Sequence, residues 1–158
     1  MSAHGSDFAG IMDRELGRLE AELRAYRDED NLWVMQGAQK NAPGTLALHL
    51  VGNLMAFVGA DLGGTGYVRD REAEFGDRDV SRGELLGQVA ECRRMLASVL
   101  PEVPANVMDG PHPGKLPEHM AGFTTHHLLV NLTWHLGWHL GHIYYHRLAV
   151  EGGQPELP

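Results

Sequence analysis

The chain has little cysteine, little positive charge and no obvious long apolar run. A single cysteine, Cys92, in 158 residues excludes an intrachain disulfide and fits a reducing compartment, so a cytoplasmic protein is expected. Thirteen Lys and Arg against 21 Asp and Glu leave a formal charge of −8, which makes a nucleic-acid backbone a poor partner. No apolar run approaches the length of a membrane span, and the start MSAHGSDFAG lacks the charged and apolar regions of a signal peptide. No Glu-x-x-His motif occurs, which argues against a di-iron carboxylate centre. Residues 1–158 read as one domain, long enough to bury a substantial core.

What is present is helical periodicity. From about Asp7 to Arg27, Phe8, Met12, Leu16, Leu19, Leu23 and Tyr26 form an apolar stripe. A connection follows to Pro43, with Leu32, Trp33 and Val34 as its hydrophobic anchor. A second helix starts near Gly44 or Thr45 and ends before Gly63-Gly64-Thr65-Gly66. The charge-dense segment from Tyr67 to Val80 reads as a loop. Ser81-Arg82-Gly83-Glu84 is a capping box opening a third helix, whose Leu85, Val89, Cys92, Leu96 and Val99 repeat at helical spacing. Pro101 and Pro104 end it. The stretch to Gly122, rich in Pro and Gly, reads as a long irregular connection. Thr124 or Thr125 can cap a fourth helix running to about Val150 and stopping at Gly152-Gly153. Four amphipathic helices without strand alternation predict an all-α, antiparallel four-helix bundle with two long connections.

Histidine is the compositional anomaly. There are ten, and seven lie from His119 to His146. His135, His139, His142 and His146 step by 4, 3 and 4, which puts all four within roughly 60° of one helix face. A pair at i, i+4 can share one borderline ion through nitrogens at about 2.0–2.1 Å. His135 and His142 stand about 10.5 Å apart along the axis, so a third ligand has to come from another helix. His49, alone among apolar neighbours in the second helix, is the candidate. Asn53, one turn later, could orient a ligand or water. Three histidines leave a coordination position open, as in catalytic sites. His142 and His146 are then groups behind the ligands, lining the pocket or at the bundle-end surface, and a catalytic base, if there is one, is His142 or else His146.

LALHLVGNL and HLGWHLGHIYYHR, together with the YVRDREAEF segment and the SRGELL helix start, resemble the DinB/YfiT-like superfamily of metal-binding four-helix bundles. The resemblance covers most of the chain. It implies a three-histidine site on His49, His135 and His139 holding nickel or zinc, with iron or manganese as further candidates, and a homodimer. His142 occupies the position where many members carry glutamine. Some members are S-transferases or isomerases that use a low-molecular-weight thiol. The expected function is a metal-dependent thiol transferase or hydrolase acting on a small-molecule substrate; the alternative is a non-catalytic, stress-response metal-binding bundle.

Weaker signals have blander readings. Gly63-Gly64-Thr65-Gly66 lacks the Lys-Ser/Thr of a phosphate loop and reads as a helix end. Cys92 sits on a core stripe and reads as a buried structural thiol. Arg69, Asp70, Arg71, Glu72 and Glu74 read as a solvated or self-paired loop. His112, His119, His126 and His127 read as mostly exposed. Trp134, Trp138, Tyr144 and Tyr145 read as bundle core or dimer interface.

Overall fold

The computed structural model describes residues 3–78 and 80–153; residues 1, 2, 79 and 154–158 lie outside it. Within that range the chain is all-helical. Six α-helices form: α1 (Ala3–Ala25), α2 (Pro43–Leu54), α3 (Arg71–Gly76), α4 (Arg82–Val99), α5 (Ala105–Asp109) and α6 (Thr125–Glu151). The described residues contain no strand, only an isolated bridge between Pro111 and Thr124.

Helix α1 buries its apolar stripe, Phe8 through Leu23, and Tyr26 just beyond its end is buried with it; α1 packs against α4 and α6. Its polar edge is tied to the same two neighbours. Arg93 of α4 holds Asp13 at 2.7 Å and Glu20 at 2.9 Å, and Arg147 of α6 holds Glu22 at 2.7 Å. These partly exposed pairs set register more than they add stability.

Helix α2 is the central element. Pro43 supplies the fixed φ suited to a first helical position, and all twelve residues are buried. It continues as a π-helix, Met55–Ala60. The combined stretch Pro43–Ala60 has mean hydropathy 1.3, long and apolar enough by composition to cross a membrane, and 89% of it is buried inside the protein. The sequence concealed this because glycine, histidine and asparagine interrupt the run. Around α2 pack α3, α4 and α6.

The caps read from sequence are present. Ser81 and Glu84 form a reciprocal capping box on α4, and Thr124 accepts from the His127 amide at the start of α6. The charged segment after Tyr67 differs from the expected loop. Asp70 caps the Ala73 amide at 2.9 Å, acidic Glu72 and Glu74 suit the positive helix start, and the short helix α3 results. The long connection is also more ordered than expected, with 3-10 turns at Leu100–Glu102 and Glu118–Met120 on either side of α5. In it His112 is buried, not exposed, with Nε2 3.0 Å from the Asp61 carboxylate. His119 and His127 are exposed and His126 is half-buried.

Candidate metal centre

Helix geometry alone brings His135 and His139 together, one turn apart on the side of α6 that faces α2. Helix α2 supplies His49 from across the interface. The three rings meet through their Nε2 atoms, with His135 between the other two. His49 Nε2 lies 3.2 Å from His135 Nε2, which lies 3.1 Å from His139 Nε2. The rings stand nearly perpendicular to one another. The three ligand atoms all lie within 4.8 Å of each other, close enough to hold one metal ion.

The residues present fit such an ion. With bonds of about 2.1 Å, nitrogens this far apart subtend roughly 95–100° at the metal, between octahedral and tetrahedral angles. A neutral imidazole nitrogen either donates or accepts. His135 Nε2 can carry one proton, which satisfies one of its two close contacts. One proton on that nitrogen cannot fully serve both neighbours, whereas a cation between the three rings would meet a lone pair from each. Burial first, then the nearby positive groups, pushes both His135 and His139 down to about 4. Both are therefore neutral near pH 7, the form that ligates metals.

His49 is oriented from behind by a buried carboxylate. Its Nδ1 lies 3.2 Å from Glu74 Oε2, and Glu74 is itself gripped by Arg69 at 2.6 and 2.8 Å. Arg69 Nη2 is also 3.3 Å from His49 Nδ1, but a guanidinium only donates. Glu74 is therefore the partner that accepts the hydrogen bond from Nδ1–H, which leaves the Nε2 lone pair free, the arrangement that fixes a ligating histidine. Burial alone would push the Glu74 carboxyl up; the bonds from His49 and Arg69 outweigh it and hold it below the usual carboxylate range. Phe75, next along α3, packs on the His49 ring at 5.0 Å. Gly52, one turn after His49, makes room for this carboxylate, since a Cβ there would collide with Glu74 Oε1.

The sequence places Arg69 and Glu74 in a solvated or self-paired loop; they do pair with each other, but Glu74 is buried behind His49, and neither Phe75 nor Gly52 stood out. The only local signal was Asp70 followed by acidic residues, a helix start inside a segment that reads as solvated. Asn53 is buried beyond His49 with its Oδ1 lacking a partner. His142 is exposed, packed edge-on to Trp138 at 5.0 Å and beside His139 at 5.7 Å. His146 is buried and already engaged, its Nδ1 2.8 Å from the Tyr26 hydroxyl and its Nε2 donating to the Val34 carbonyl at 2.9 Å. A cavity of about 240 Å³ opens beside His139, lined also by His142, His146, Lys40, Asn41 and Leu46. Cys92 is fully buried, and burial pushes its thiol up to about 12, so it is no nucleophile.

Fold and site together define an all-helical protein with a three-histidine cluster able to hold a metal ion. Comparison with protein-family models, curated proteins and solved structures found no match.

Proposed function

We propose that this chain is a divalent-metal protein of the DinB/YfiT-like kind, an antiparallel bundle of α1, α2, α4 and α6 that works as a metal-dependent enzyme. His49, His135 and His139 hold the ion through their Nε2 atoms. The observation that carries this reading is the cluster of three imidazoles in which His135 Nε2 lies 3.2 Å from His49 Nε2 and 3.1 Å from His139 Nε2. The imidazole donors suit nickel or zinc, with iron and manganese as further candidates. Bound there, the ion supplies Lewis acidity and lowers the pKa of a thiol or water that reaches its open side.

The chain's own residues supply the rest. Glu74 and Arg69 lock the His49 ring, and Leu46 and Pro43 give the cavity an apolar wall beside the ligands. Lys40 and Asn41 offer donors to a polar substrate at the mouth. His142, the one lining histidine without a structural bond to the fold, is placed to accept a proton through a ring nitrogen. The substrate class is a small molecule handled with a low-molecular-weight thiol, with hydrolysis as the second chemistry.

A non-catalytic metal-binding or stress-response role is the alternative. It is favoured by one observation: no carboxylate lines the cavity among the described residues, and His142 is the sole base. Purified protein loaded with nickel or zinc should turn over thiol-transfer, ester or amide substrates, with turnover lost in His139→Ala. Full metal occupancy without turnover on any of these would leave the non-catalytic role. Full occupancy in His49→Ala and His139→Ala would overturn the site itself.

A further inference from the structure

The cavity beside His139 has a one-sided chemistry. Among the described residues its lining holds one formal charge, the Lys40 ammonium, and no Asp or Glu, in a chain whose net charge is −8. No carboxylate among the described residues pairs with Lys40. Gln39 stands next to it with Oε1 accepting from the Gln36 amide at 3.2 Å, which leaves the NH2 end of that side chain free to donate. Asn41 brings a second primary amide. The first turn of α2 completes this wall with Pro43 and Leu46, and the Ala42 before it has no side-chain group to cap the helix. The helix start therefore adds positive potential on the same side. His146 takes no part, since the Tyr26 hydroxyl and the Val34 carbonyl occupy both its ring nitrogens.

We propose that this cavity takes a small monocarboxylate, with its acid group on Lys40 and the Gln39 and Asn41 amides and its reacting end against the open side of the ion at His139. The reacting end rests on the metal reading of the three histidines; the acid end does not, because Lys40 and the two amides are not ligands.

Charge and size select this class. A cleft lined by one sign of charge concentrates the opposite sign, and a cationic substrate would face Lys40 and the ion together. A phosphate carries nearly two negative charges and is usually met by the fork of an arginine, and no arginine lines the cavity among the described residues. One ammonium with two amide donors matches the single charge and two oxygens of a carboxylate. The volume is about 240 Å³; at about 30 Å³ for each water-sized group it holds on the order of eight non-hydrogen atoms. Leu46 and Pro43 suit the short carbon chain between the acid and the reacting end.

The test is isothermal titration calorimetry with two thiols of the same size, 3-mercaptopropionate and the uncharged 3-mercaptopropionamide. Both are titrated into nickel-loaded protein of measured metal content and into metal-stripped protein. In each form the acid is expected to bind about 10-fold or more tightly than the amide, and added salt should narrow the gap. Lys40→Gln should abolish the preference with metal content unchanged. Lys115→Gln, at the chain's other lysine, should keep it. Butyrate against butanamide separates two sources of the acid. A preference repeated there puts the carboxylate on the thiol-free reactant, and one confined to the mercapto pair puts it on the thiol. Equal affinity for acid and amide, or a preference that survives in Lys40→Gln because the acid sits on the ion, overturns the proposal. A preference in protein unable to hold an ion keeps the Lys40 site and removes the metal reading; an ion held without any preference does the reverse.

Discussion

His139 and His146 lie seven residues apart on one helix, and their surroundings differ in kind. His146 is buried with both ring nitrogens met by ordinary partners, a tyrosine hydroxyl and a backbone carbonyl. It joins α6 to the end of α1 and to the connection that follows. His139 has its Nε2 3.1 Å from another imidazole nitrogen, and its Nδ1 has no partner. Sequence spacing puts the two on one stripe and cannot tell them apart. What separates them is the set of groups facing each ring: the His146 imidazole is satisfied by the fold, and the His139 imidazole faces other imidazoles in a cluster that could hold a cation.

The largest effect that could break this contrast is on metal content. His139→Ala or His49→Ala should bring bound metal from near one ion per chain to near zero after dialysis. His146→Ala should keep its ion while losing roughly 2–4 kcal/mol of stability in urea titration, because it empties a buried site and strands two polar groups. Equal metal loss in both would erase the distinction.

Next in size is the carboxylate behind His49. Glu74→Gln should weaken metal affinity about 10–100-fold in competition with a chelator. Gly52→Ala should act in the same direction, since its added methyl displaces the Glu74 carboxylate. Unchanged affinity in both would reduce the Glu74–Arg69 pair to a surface clasp.

A pH effect follows from the depressed histidines in metal-free protein. His135 and His139 sit near 4 in the folded chain, below the ordinary 6.5. Between those values the unfolded chain binds up to two more protons than the folded one. Stability is therefore fully present above pH 6.5 and falls as the pH drops through the window toward 4. Urea titrations across it should show this slope flattened in a His135→Leu, His139→Leu double variant; an identical slope would contradict the assignment.

The smallest effect belongs to His146. Tyr26→Phe removes the hydroxyl beside His146 Nδ1 and should cost about 1 kcal/mol with metal content unchanged.

Helix positions and the His135–His139 pair were legible in sequence because they rest on local rules: helical spacing, the Ser81 capping box, the Thr124 cap and the i, i+4 pair; His49 was reached as the one histidine of the second helix and through the family resemblance. Glu74 was not, because its partner His49 lies 25 residues away. Nothing in a charged stretch reveals that one of its acids turns inward. The role of His146 was equally hidden, since Tyr26 and Val34 are more than a hundred residues distant. The outward aromatics were left between core and interface because α6 is apolar on every side, and periodicity cannot pick a face on such a helix. Trp134, Trp138 and Tyr145 are exposed in the folded chain, which removes the core reading for those three.

X-ray absorption at the edge of the loaded metal tests the central claim most directly. Three imidazole nitrogens at about 2.0–2.1 Å are predicted for the wild type and for His146→Ala, with that shell broken in His139→Ala. A coordination sphere of oxygens alone, or an unaltered imidazole shell in His139→Ala, would contradict it.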